Sequence, residues 1–153
     1  RMIHTFSDIY NNYVKEHGIP LYERLQETCT DKKVFLIHGG TDISQREEIR
    51  QIVDKEKNAI LVASYGTCST GINIKNINNI IFASPSKSVI RVLQSIGRGL
   101  RRSENKNKVK LYDISDDMRY KKYTNHTYRH FQDRIEIYIK EKFDYKTVVI
   151  QMD

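Results

Sequence analysis

The chain has 153 residues, 39% of them hydrophobic and 29% charged, a balance that excludes a disordered segment and is enough for one domain with a buried core. Its 26 Lys and Arg against 19 Asp and Glu give a formal charge of +7, which favours a polyanionic partner. Two cysteines, Cys29 and Cys68, are too few for a disulfide framework. With no long apolar run and no signal-like segment, a soluble cytoplasmic protein with no membrane partner is the expectation. No repeat or Pro/Gly linker divides residues 1–153, so one domain is expected.

The first twelve residues read in two ways. They form either a short helix with Met2, Phe6 and Ile9 on one face, or a weak strand over 2–6 leading into a helix. A helix follows over 19–26, with Pro20 acceptable in its first turn and Leu21 and Leu25 one turn apart. Residues 28–32 read as a turn and 34–37 as a buried strand, stopped by His38, Gly39, Gly40 and Thr41. A lone histidine more often serves structure than chemistry. His38, however, sits at a strand's carboxyl end beside glycines that permit close backbone approach, which favours contact with a ligand or a nucleic-acid backbone. Asp42 or Ser44 then caps a helix whose Ile49 and Val53 face inward.

Residues 60–63 and 80–83 are short β-branched runs stopped by small polar residues, as buried parallel strands are. The loop 64–71 concentrates hydroxyls and glycine at a sheet edge, groups that hold phosphate oxygens without reading bases. Residues 84–88 cap a helix over 86–102, on which Val89, Leu93, Ile96 and Leu100 make an apolar face. Gln94, Arg98 and Arg101 make a separate polar stripe. Two planar guanidinium forks above a sheet edge suit a polyphosphate, although a solvated basic helix end is the plainer alternative. Gly97 and Gly99 each cost about 1 kcal/mol against Ala inside a helix, so they mark a frayed end or a close approach.

Beyond the polar loop 103–108, a strand is expected over 109–114 with Leu111 buried. Ser115, Asp116 and Asp117 read as turn and cap residues rather than a metal site. Within 120–143 the spacing of Ile135, Tyr138, Ile139 and Phe143 predicts a helix toward the end. Tyr128, Arg129, His130 and Arg134 read either as a basic, aromatic nucleic-acid surface or as core tyrosines with a wet basic face. Residues 145–151 read as a final strand.

The motifs Gln94-x-x-Gly97-Arg98-x-x-Arg101 and 60–64 through Thr70-Gly71-Ile72-Asn73-Ile74 resemble motifs VI and V of the superfamily 2 helicases, in the right order and with a strand between them. His38-Gly39, with Gln45-Arg46 downstream, resembles the segment that precedes motif V there. The phage recombination helicases of this superfamily are more similar still, through Ala63-Ser64-Tyr65-Gly66, Ser69-Thr70-Gly71-Ile72, Lys87-Ser88, Val92-Leu93-Gln94, Asp133-Arg134-Ile135 and Glu141-Lys142-Phe143. The clean apolar motif IV strand of these relatives has no obvious counterpart. Either residues 3–10 are a divergent version, or the strand is absent because two pieces are joined near 11–14.

The resemblance implies an α/β RecA-like second motor domain, mostly parallel in its sheet, with helices on both faces. It implies catalytic roles for Gln94, Arg98 and Arg101, and places Gly71, Asn73 and Gly97 near ATP. It implies nucleic-acid contact for His38, Gly39, Ser64, Tyr65, Gly66, Thr70 and Lys87. Asn73 stands where many helicases carry Asp and brings no charge to that position. The sequence holds no Gly-x-x-x-x-Gly-Lys-Ser/Thr loop and no acidic Mg²⁺ motif after one. ATP and Mg²⁺ would therefore be held mainly by an N-terminal RecA-like domain, and residues 1–153 alone should be inactive. DNA, branched or single-stranded, is the expected partner, with RNA a second option. A non-catalytic nucleic-acid-binding module and a stand-alone phosphate-binding protein are the competing classes.

Overall fold

A computed structural model of the chain describes residues 2–6, 14–64, 66–67, 74, 77–83, 97 and 109–151. Five strands form one parallel sheet: β1 (Met2–Phe6), β2 (Lys33–Ile37), β3 (Ala59–Ser64), β4 (Asn79–Phe82) and β5 (Lys110–Asp113), in the spatial order β2-β3-β1-β4-β5. Three α-helices are described, α1 (Ile19–Thr28), α2 (Ile43–Lys55) and α3 (His126–Lys140).

The strand reading of the first residues is the one observed. β1 occupies the centre of the sheet, where Met2 is in register with Ile60 on one side and with Asn79 on the other. A strand is thus present at 2–6, and residues 7–13, which hold most of the suggested junction near 11–14, lie outside the described residues. A single π-helical turn, Val14–Gly18, runs straight into α1, a feature the sequence reading did not anticipate.

The two faces of the sheet follow from the period of two along each strand. Val62 of β3 packs with Val34 and Leu36 of β2 beneath Ile19, Leu21, Tyr22 and Leu25 of α1. On the opposite face Leu61, Ala63, Ile37, Ile80 and Phe82 pack with Val53 of α2 and with Ile137 and Tyr138 of α3. Every residue of β3 is buried, as expected of an inner parallel strand covered on both sides. Ile49 and Leu111 are partly buried against this core, Leu111 less completely than expected.

The C-terminal part departs from expectation in three respects. Ile139 is 58% exposed, because the face of α3 that packs on the sheet runs through Arg134, Ile137 and Tyr138 instead. Residues 143–151 form no strand, and Val148, Val149 and Ile150 lie exposed. A β-branched run becomes a strand only where an edge accepts its hydrogen bonds, and none does so here among the described residues. Arg134 is fully buried, neither a nucleic-acid contact nor part of a wet basic face. Its Nε and Nη2 donate to the two carboxylate oxygens of Asp113 at 2.8 and 2.7 Å, and Tyr138 Oη donates to the same carboxylate at 2.7 Å. This fork ties α3 to the end of β5.

Candidate nucleic-acid interface

All five strands are parallel, so their carboxyl ends share one edge of the sheet. The chain leaves β1 toward β2 and leaves β4 toward β5, in opposite directions. The carboxyl ends of β1 and β4 therefore flank a topological switch point, where open α/β sheets bind ligands.

At one end of this edge β2 runs into the His38 turn. His38 N–H donates to Thr41 Oγ1 at 3.0 Å, and Thr41 N–H returns a bond to the His38 carbonyl at 3.0 Å. Gly40 N–H donates to His38 Nδ1 at 3.1 Å, so the neutral imidazole carries its proton on Nε2 and offers it outward. A Cβ at Gly40 would lie 3.1 Å from His38 Cε1, so a larger residue there would need the ring to shift by a few tenths of an ångström. Gly39 is exposed, with open space where a Cβ would stand. Arg46 fixes the turn from α2: its Nε donates to the Thr41 carbonyl at 2.7 Å and its Nη2 to the Gly39 carbonyl at 2.8 Å. Sequence reasoning placed Arg46 in a motif without a role, because its partners are backbone carbonyls that no residue type marks. Asp42 is the N-cap of α2 by its extended backbone, and its side chain makes no capping bond.

At β3 the first residue of the hydroxyl-rich loop turns inward. Ser64 is fully buried and its Oγ lies 2.6 Å from Thr67 Oγ1, with Thr67 itself 3% exposed. Here the Ser64 hydroxyl has a protein partner, and the pair pins the loop's first turn around Gly66, which is half-buried. Thr67 was not singled out from sequence, because a threonine in a polar loop carries no mark of burial. Thr67→Val keeps the shape and leaves the Ser64 hydroxyl without its partner, which should cost about 1–3 kcal/mol of stability in chemical denaturation. A change below a few tenths of a kcal/mol would show that the pair does not pin the loop.

Gly97 is helical and exposed, with nothing within 4 Å of an added Cβ. Tyr65, Thr70, Gly71, Asn73, Lys87, Gln94, Arg98 and Arg101 lie outside the described residues, as does the apolar face expected for 86–102. After β5, Asp117 accepts from Arg119 Nε and Nη2 at 2.8 and 2.7 Å, and this hydrogen-bonded guanidinium holds its carboxyl below the ordinary aspartate range. The Asp116 carbonyl accepts from Asn125, so this acidic pair serves the turn before α3. No helix among the described residues is long and apolar enough to cross a membrane.

Residues 7–103 match the helicase conserved C-terminal domain, and the chain belongs to that family. It is 35% identical over 144 residues to the ATP-dependent DNA helicase UvsW of Enterobacteria phage T4, covering 86% of this chain and 28% of that protein. It is 30% identical over 98 residues to putative helicase 22 of a Sulfolobus islandicus filamentous virus, covering 63% of this chain and 17% of that one. The crystal structure of T4 UvsW superposes with a TM-score of 0.70 at 30% identity, over 95% of this chain and 30% of that one. The C-terminal domain of the DEAD-box protein Dbp5 shares the fold, with a TM-score of 0.64 at 14% identity over 92% of this chain and 69% of that one. The fold is therefore the α/β RecA-like fold of helicase C-terminal domains. The chain spans less than a third of the length of the curated relatives it matches.

Proposed function

We propose that this chain acts as the second motor domain of an ATP-dependent superfamily 2 DNA helicase or translocase, used for unwinding or branch migration. The observation that carries the reading is the family match over 7–103, which takes in the His38 turn, the Ser64 loop and the Gln94 to Arg101 stripe. In this reading an N-terminal RecA-like domain holds ATP and Mg²⁺, and the present domain closes over the terminal phosphate. Mg²⁺ held there would neutralise charge that develops on the phosphates.

Arg101 donates to the terminal phosphoryl group as an arginine finger and Arg98 supplies a second phosphate contact, each offering a planar fork of donors. Gln94 orients the two, and Gly71 and Asn73 approach the nucleotide from the loop after β3. On the nucleic-acid side His38 offers Nε2–H, and Gly39, Tyr65, Gly66 and Thr70 meet phosphates, with Lys87 adding charge. Ser64 supports this surface from below through Thr67.

The reading is tested by joining the chain to its N-terminal motor domain and measuring ATP hydrolysis with and without DNA. The expected results are DNA-stimulated turnover by the two-domain protein and none by residues 1–153 alone. DNA binding should be largely sequence-independent and should fall steeply with added salt through counterion release. Rapid DNA-stimulated hydrolysis by residues 1–153 alone would refute the half-site assignment. Salt-insensitive preference for one base sequence would refute the backbone contacts.

A further inference from the structure

We propose that the hairpin of residues 120–123, between β5 and α3, is a base-stacking contact for single-stranded DNA. This rests on the nucleic-acid reading above and adds to it a site on a different segment. Tyr120 N–H donates to the Tyr123 carbonyl at 3.1 Å and Tyr123 N–H to the Tyr120 carbonyl at 2.9 Å, closing an antiparallel bridge over two lysines. Directly opposed residues in such a pair project to the same side. Two tyrosines thus stand side by side, 70% and 63% exposed.

The hairpin is rigidly mounted. Asn125, 4% exposed, accepts from Met118 N–H at 3.1 Å and donates to the Asp116 carbonyl at 2.8 Å, clamping both sides of the base. Arg119 is held by Asp117 and stacks 4.1 Å from the centre of the Tyr128 ring on α3. At the tip, Lys121 has φ of 53°, a left-handed conformation that favours glycine. A lysine kept in such a position, with its Nζ 5.2 Å from the Tyr120 ring centre, is the kind of local strain that persists at working surfaces.

Charge and chemistry select the ligand. Between Met118 and Gln132 the sequence has four Lys or Arg and no Asp or Glu. Arg119 among these is paired with Asp117, so the exposed tyrosines stand beside Lys121 and Lys122, which suit a strand whose phosphates meet lysines and whose bases stack on tyrosines. The hairpin follows β5 in the chain, whereas His38 follows β2. The outer strands β2 and β5 are about 19 Å apart at ordinary strand spacing, which sets this contact apart from the His38 turn.

The test is fluorescence anisotropy of the 153-residue chain with a labelled oligothymidylate and with an abasic oligomer of equal length, which keeps phosphates but has no bases. The double variant Tyr120→Ala/Tyr123→Ala should lose about 10- to 100-fold in affinity for oligothymidylate and bind the abasic strand as the parent does. The double phenylalanine variant should bind both like the parent, and thermal melting should be unchanged in all three. Unchanged oligothymidylate binding by the alanine variant overturns the stacking contact and leaves the motor reading standing. An equal loss on the abasic strand overturns it as well, because phosphate contact or structure would then explain the effect. Failure of the parent chain to bind either strand overturns both readings.

Discussion

In the complete motor, Arg101→Ala is expected to lower ATP turnover by about 10³-fold or more, the scale on which arginine fingers act. Thermal stability should barely move if, as helical spacing of the sequence implies, Gln94, Arg98 and Arg101 stand apart from the apolar positions Val89, Leu93, Ile96 and Leu100. Arg101→Lys should fail almost as badly, since one ammonium cannot reproduce two parallel donors on adjacent oxygens. Single-turnover hydrolysis at saturating ATP separates this from weakened binding: a finger that acts in the transition state lowers the rate more than the affinity. If Arg101→Ala unfolds the domain while the folded fraction keeps its turnover, Arg101 is structural and the finger assignment is wrong.

Asp113→Ala should destabilise the fold by about 3–5 kcal/mol, because it leaves the buried Arg134 guanidinium without its counter-charge. The Arg134 side chain is 0% exposed and that of Asp113 is 9% exposed, so water cannot replace the lost carboxylate. Replacing both partners together, as Asp113→Leu/Arg134→Met, should recover much of the loss, since no lone charge then remains in the core. Urea denaturation midpoints of the two variants decide the matter. A loss below about 1 kcal/mol for Asp113→Ala would mean that Arg134 finds another route to solvent.

This ion pair also shows where the sequence stopped being legible. The runs over 34–37, 60–63 and 80–83 gave β2, β3 and β4 directly, because short β-branched runs bounded by small polar residues leave a plain strand signature, unbroken in β3, which is buried on both faces. His38 was placed at a strand end, and its partners Gly40 and Thr41 lie within three residues of it. Arg134 was misjudged because a cation on an amphipathic helix looks solvated until its partner is known. Asp113 stands on a different element, and only the packing of α3 on the sheet brings the two together. Thr67 and residues 145–151 failed for a related reason: burial of a hydroxyl and pairing of a strand both depend on neighbours that local pattern does not reveal.

The central place of β1 has a consequence for how the chain reaches its native state. Met2 must find Ile60 and Asn79, so both ladders of β1 close long loops, whereas β2 and β3 are joined through α2 alone. Long-range parallel pairing is intrinsically slow. Until β1 is inserted, the β2–β3 and β4–β5 pairs each present an unpaired edge, and the edge of β3 is apolar from Ala59 to Ala63. Refolding at high protein concentration is therefore the step at which copies of this chain should stick to one another, with β3 as the adhesive strand.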